Sequence, residues 1–361
     1  MLSDTLVRLL ADRHGIETRN HAAYGPQGYS LELWRELAEM GVIGALISPD
    51  DGGYGGEGFD IAVVFEALGG ALATEPFLGA LLGGRILHQD ERHAPLIEGV
   101  IAGVEVLALA HQEADASLWD RSRTTARRSG DGWVLNGAKA VVAHAEAATW
   151  LIVSATLEET AERALFLISS KAEGLSVRGY NTIDGGRASE VMLQDVTATD
   201  AALIASGEEA DRRLDSALAA GLLALSAEAL GAMERIKVDT LEYLRSRVQF
   251  GTPIGSFQAL QHRMATVLLE IEQARSSVIN AGALLQATPL ERDRTASAAK
   301  FTVGRVGALA AEEAVQMHGG IGMTWELPMA HYAKRVLMID QQMGDQDAHL
   351  ARFMGLERPT A

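Results

Sequence analysis

The hydrophobic positions change their period twice along the chain. Up to about residue 105, apolar residues recur at helical spacing in short blocks. One block runs from Leu31 to Met40, with Gly41 placed to end the helix, and another from Asp60 to Leu72. The glycine-rich stretch Ser48 to Gly56 between them lacks the Lys-Ser/Thr ending of a phosphate-binding loop and reads as a turn. From about 105 to 200 the pattern shortens to β-type runs at 104–110, 133–135, 149–155, 164–168 and 190–193. Asp131-Gly132, Asn136-Gly137 and Asp184-Gly-Gly186 punctuate them, which predicts a small antiparallel sheet or barrel.

Beyond about 207 the helical period returns and holds. Leu218, Leu222, Leu225, Ala229, Ala232 and Ile236 alternate steps of four and three. Similar stripes run from Phe257 to Leu285, from Ala296 to Ala310 and, more briefly, from Tyr332 to Met343. Four such helices with short connections predict an antiparallel four-helix bundle. The expected fold class is therefore α+β, mainly α. An N-terminal helical domain over 1–105 precedes a central β domain over 106–203 and a C-terminal four-helix bundle over 204–361. Leu356 to Ala361 is expected to fray.

Composition narrows the function. The 361 residues are 48% apolar and 22% charged, an ordinary globular balance with enough chain for two or three structural units. A net charge of −17 argues against a nucleic-acid partner, since phosphate neutralisation needs clustered Lys and Arg. The absence of cysteine excludes disulfides, thiolate nucleophiles and zinc–thiolate sites. The histidines show no ligand spacing, so no metal is assigned. There is no secretion signal and no uninterrupted apolar run of membrane-spanning length, and a cytoplasmic setting away from membranes is expected.

The candidate chemistry lies in two breaks between the long helices. The first is Arg247-Val-Gln-Phe-Gly-Thr-Pro-Ile-Gly-Ser-Phe-Gln-Ala-Leu-Gln-His262. An arginine fork suits a pyrophosphate, Gly251 and Pro253 interrupt the helix, and Gln258 opens the next one, where amide groups can meet an anion. The same residues also read as an ordinary interhelical loop with a surface arginine. The second break is Gln316-Met-His-Gly-Gly-Ile-Gly-Met-Thr-Trp-Glu326. Gly319 and Gly320 let backbone approach a ligand closely, and they equally suit a helix C-cap.

Arg-x-Gln-Phe-Gly-x-Pro-Ile-x-x-Phe-Gln at 247–258 and Gln-x-x-Gly-Gly at 316–320 resemble the acyl-CoA dehydrogenase family of flavoproteins. Thr324-Trp-Glu326, Lys334-Arg335 and the domain order extend the resemblance over essentially the whole chain. It implies FAD-dependent α,β-dehydrogenation of an acyl-CoA thioester, with electrons passed to an electron-transfer flavoprotein. It also implies an oligomer, a dimer of dimers, in which FAD is bound mainly by the neighbouring subunit. The implied roles are Arg247 on the pyrophosphate, Phe250 against the dinucleotide, Gln258 as a hydrogen-bonding partner, and Gln316, Gly319 and Gly320 at the adenosine.

Departures from the family pattern sharpen the expectation. Ala110-His-Gln-Glu-Ala-Asp-Ala-Ser-Leu118 stands where the family carries a threonine-glutamate-proline-glycine stretch ending in Ser-Asp. Val141-Val-Ala-His144 replaces the triplet that covers the flavin ring. The two positions where the family places its catalytic glutamate read Met343-Gly-Asp-Gln346 and Arg213-Leu-Asp-Ser216. Asp345 is the candidate base and Asp215 the alternative, each one methylene shorter, and each also reads as a solvated acid near a helix end. Three readings follow. The departures favour the partner chain of a heteromeric enzyme, of the kind known in bacterial sterol side-chain degradation. The others are a homo-oligomeric dehydrogenase with an aspartate base and a non-catalytic helical scaffold.

Overall fold

The computed structural model describes residues 2–356, so the expected fraying of Leu356 to Ala361 lies, apart from Leu356 itself, outside the described residues. Six helices occupy the first part of the chain: α1 (Leu2–Arg13), α2 (Ile16–Ala23), α3 (Leu31–Glu39), α4 (Gly58–Ala71), α5 (Phe77–Leu87) and α6 (Ala94–Ile101). Helix α3 shows how the sequence sets a boundary. Ser30 caps its start by accepting from the Leu33 N–H at 3.2 Å, and Gly41 adopts φ 86 just past its end. Its Leu33, Trp34 and Leu37 are buried, as the spacing requires.

The strands are β1 (Leu107–Ala110), β2 (Thr125–Ser129), β3 (Gly132–Ala143), β4 (Trp150–Leu157), β5 (Arg163–Ser169), β6 (Leu175–Asn181), β7 (Arg187–Thr199) and β8 (Leu203–Ser206). They form one sheet in the order β6-β7-β3-β2-β4-β5-β8, with β1 also on β4. The sheet is mixed, which corrects the expected antiparallel one. β1 runs parallel to β4 along Trp150–Val153, and β2 runs parallel to it at Thr156 and Leu157. Three strands escaped the sequence pattern. β2 carries the exposed Arg127, Arg128 and Ser129, β6 has no fully buried residue, and β8 is only four residues long. Trp133, Leu135, Val153, Phe166 and Val191 form the core against the sheet.

The helical period after residue 207 produces α7 (Glu208–Ser246), α8 (Gln258–Ala283), α9 (Pro289–His318) and α10 (Pro328–Gln341), with a fifth helix, α11 (Gln346–Gly355), that the stripe did not reveal. A two-stranded hairpin, β9 (Val248–Gln249) with β10 (Thr252–Pro253), follows α7. Helix α7 has 39 residues and so spans about 58 Å. An 18-residue window in it has mean hydropathy 1.5, long and apolar enough by composition to cross a membrane, although no charge-free run in the helix reaches that length. That window is 94% buried, which makes α7 the core helix.

The change of element type falls near residues 105 and 207, but packing groups the chain differently. One compact unit combines residues up to Arg19, Glu57–Ala73 and the chain from Leu222 onward; the other combines Asn20–Gly56 with Thr74–Gly221. In the first unit, α4 meets α7 at glycines. A Cβ on Gly69 would lie 2.0 Å from the Glu228 carbonyl oxygen, and one on Gly231 would lie 1.9 Å from that of Glu66. Only hydrogen fits at these two positions.

Candidate functional site

The two interhelical breaks lie in the same compact unit. Helix α7 ends at Ser246, and the Arg247 N–H still donates to the Tyr243 carbonyl at 2.8 Å. The chain then folds into the β9–β10 hairpin, closed when the Ile254 N–H donates to the Arg247 carbonyl at 2.8 Å. Phe250 and Gly251 form its two-residue tip with φ 52 and 78. Such a tip favours Asn-Gly, because an L-residue with a Cβ is strained there. Yet Phe250 holds that conformation with 94% of its surface exposed, and among the described residues its ring neighbour is Phe257, edge-on at 6.2 Å. Backbone strain without an internal packing reward points to a role outside this chain.

Arg247, Gln258 and Gln316 are exposed, and among the described residues their side chains make no hydrogen bond or ion pair. Helix α8 begins at Gln258 with no side-chain cap from Phe257. Helix α9 ends at His318, after which Gly319 adopts φ 67, ψ −146, a region essentially reserved for glycine. A Cβ on Gly319 or Gly320 would meet nothing within 4 Å. The missing side chains therefore serve no internal packing, and they leave bare backbone facing open space, as a nucleotide contact requires.

What brings the two breaks together is a pair the sequence did not flag. The Tyr243 ring stacks on His318 with centroids 4.4 Å apart and planes at 26°, and its hydroxyl donates to the His318 carbonyl at 3.3 Å. Tyr243 lies one turn before Arg247, and His318 directly precedes Gly319. The only hint available was that adjacency.

Asp345 stands elsewhere in the same unit, in a structural position. It is the N-cap of α11, accepting from the Ala348 N–H at 2.8 Å. The buried Lys300 ammonium pins the turn from beneath, donating to the Asp340 and Gly344 carbonyls at 2.8 and 2.7 Å. Burial pushes Lys300 down to about 8, against the pull of Asp340 and Asp345. Asp215 is half-buried on α7 and belongs to the other unit.

In that other unit, the segment Ala110 to Leu118 turns His111 and Glu113 inward and leaves Asp115 and Ser117 exposed. His111 donates from Nε2 to the Leu118 carbonyl at 2.7 Å and accepts from Ser154 at Nδ1 at 2.8 Å. Glu113 accepts from the Arg123 and Thr124 N–H groups, the Thr124 hydroxyl and the Lys139 ammonium, all within 3.0 Å. Burial and the nearby Lys139 charge push His111 down to about 4. Burial would raise Glu113, but the Lys139 hydrogen bond and charge outweigh it and hold the carboxyl at about 2.

The sequence models for the acyl-CoA dehydrogenase middle and C-terminal domains match residues 108–196 and 212–352. A Mycobacterium tuberculosis protein, acyl-CoA dehydrogenase IpdE2, is 33% identical over 93% of this chain and 89% of its own length. The chain belongs to the acyl-CoA dehydrogenase family. That family comprises FAD-dependent oxidoreductases. A solved variant of the Tcur3481–Tcur3483 steroid ACAD is 29% identical with a TM-score of 0.89, covering 98% of this chain and 96% of that one. The ChsE4–ChsE5 complex from Mycobacterium tuberculosis shares the fold, with a TM-score of 0.90 at 24% identity over 99% of this chain and 97% of that chain.

Proposed function

We propose that this chain is the partner subunit of a heteromeric acyl-CoA dehydrogenase. Arg247 would pair with the FAD pyrophosphate, Phe250 lie against the dinucleotide, and Gln258 hydrogen-bond to it. Gln316, Gly319 and Gly320 would receive the adenosine. The observation that carries this reading is the contrast between two regions. The dinucleotide residues present unpartnered side chains and bare glycine backbone, whereas Asp345 caps a helix and the buried His111 and Glu113 are already engaged by Ser154, Lys139 and Thr124.

FAD, when bound, supplies the two-electron oxidant for α,β-dehydrogenation of the acyl-CoA thioester. On this reading another chain provides the flavin-ring pocket and the carboxylate that removes the α-proton. An aspartate engaged as a helix cap is poorly placed for that step, which needs free hydrogen-bond reach to the substrate. The rest of the proposal is a steroid-derived acyl group, since the similar Tcur3481–Tcur3483 structure is of a steroid ACAD, with an electron-transfer flavoprotein as acceptor and a dimer-of-dimers assembly. It also keeps the linear division into 1–105, 106–203 and 204–361 as functional segments, and a cytoplasmic setting.

The test is a reductive half-reaction. The purified chain, loaded with FAD, is mixed with short, long and steroid acyl-CoAs, alone and with candidate partner chains, and flavin bleaching is followed. Bleaching only with a partner is the expected result; rapid bleaching by the isolated chain would defeat the reading. Arg247→Ala should lower FAD retention by removing a charge-assisted pair worth ~1.5–3 kcal/mol. Equal occupancy at limiting FAD would count against the assignment.

A further inference from the structure

We propose that Tyr243 and His318 act as a positioning pair, which holds the Arg247 and Gly319–Gly320 segments at the fixed separation a dinucleotide requires. The proposal rests on the FAD-grip reading and adds to it the device that sets the geometry. Each segment follows the end of a helix, where backbone order is weakest. Residues 247–251 and 319–321 are exposed, so burial does little to fix them. Among the described residues, no side-chain hydrogen bond joins 247–258 to 316–323 directly. The nearest flanking tie is the Arg263–Glu313 ion pair between α8 and α9.

The stacked pair crosses this gap. Tyr243 passes its position to Arg247 through the 2.8 Å backbone bond between them. His318 is itself held, since its buried ring donates from Nδ1 to the Ala314 carbonyl at 2.8 Å. The chain turns sharply at Gly319, so a small rotation of His318 would re-aim both glycines. A ring–ring contact at 4.4 Å, with the hydroxyl on the His318 carbonyl, therefore ties the two segments at their own ends, beyond what the packing of α8 on α9 sets. Neither residue needs to touch the ligand.

The chain has no cysteine, so Gln249→Cys and Met323→Cys accept spin labels at these two sites alone. In the otherwise unchanged protein the inter-label distance should be narrow. Tyr243→Ala should broaden or shift it, and Tyr243→Phe, which keeps the ring, should restore it. In unlabelled protein the FAD Kd should rise about tenfold in Tyr243→Ala and stay near the parent value in Tyr243→Phe. A thermal midpoint measured on each variant separates this from general unfolding. Should the alanine variant fail to fold, Tyr243→Leu fills the space without stacking and takes its place. An unchanged distance distribution in the non-stacking variant overturns the proposal. Broadening in a chain that never binds FAD upholds the coupling and counts against the FAD-grip reading instead.

Discussion

Lys139 Nζ and Glu113 Oε1 lie 2.7 Å apart inside the β-sheet unit, with the lysine side chain wholly buried and the glutamate 6% exposed. The ammonium also donates to the Ser122 and Ser154 hydroxyls and to the His111 carbonyl, at 3.1–3.3 Å. Every charged atom thus finds a partner, which is the condition for a tolerable buried ion pair.

Removing one partner should be costly. Lys139→Met leaves the Glu113 carboxylate buried without its counter-charge and should destabilise the fold by roughly 3–5 kcal/mol. The double change Lys139→Met with Glu113→Leu should recover part of that loss. Urea unfolding of the three proteins checks both outcomes, and a single-variant midpoint equal to the parent's would show that the pair contributes nothing.

Acid should weaken the protein from just below neutrality. Burial pushes His14 and His111 down to about 4 and His349 to about 3, against an ordinary value of 6.5. Between those values the unfolded chain binds more protons than the folded one, so stability falls as pH drops from about 6.5. The contribution is fully present above 6.5 and is progressively lost down through the folded values. Glu113 adds to the loss between 4.5 and about 2, where the unfolded chain again holds the extra proton. Urea midpoints at pH 7, 6 and 5 should decline steadily, and His111→Gln should flatten the slope.

Phe250→Asn creates the Asn-Gly tip that a two-residue hairpin favours. Relief of the left-handed conformation should leave thermal stability unchanged or raise it by about 1 kcal/mol. FAD retention should fall, because the exposed ring is lost. A variant that is both more stable and equally good at holding FAD would remove Phe250 from the site.

Asp345 separates capping from catalysis in one comparison. Asparagine caps a helix about as well as aspartate, so Asp345→Asn should keep stability and the turnover of the assembled enzyme. Asp345→Ala should cost about 1 kcal/mol through loss of the cap. Turnover abolished in Asp345→Asn, with FAD still bound, would make this residue the base and favour the homo-oligomeric reading.

The sequence by itself determined most of the helical architecture and the location of the candidate site. Stripes such as Leu218 to Ile236 and Phe257 to Leu285 are local signals, because a helix repeats every 3.6 residues whatever it packs against. The breaks at Arg247 to Gln258 and Gln316 to Gly320 were legible for the same reason. Short α11, the polar strand β2 and the edge strand β6 were not, since none of them carries an apolar repeat long enough to stand out. Only the tertiary structure decided which distant groups meet. It set β1 and β2 parallel to β4, put Lys139 against Glu113, made Asp345 a helix cap, and stacked Tyr243 on His318 across 75 positions. Those choices depend on how whole elements pack, and no period in the chain records them.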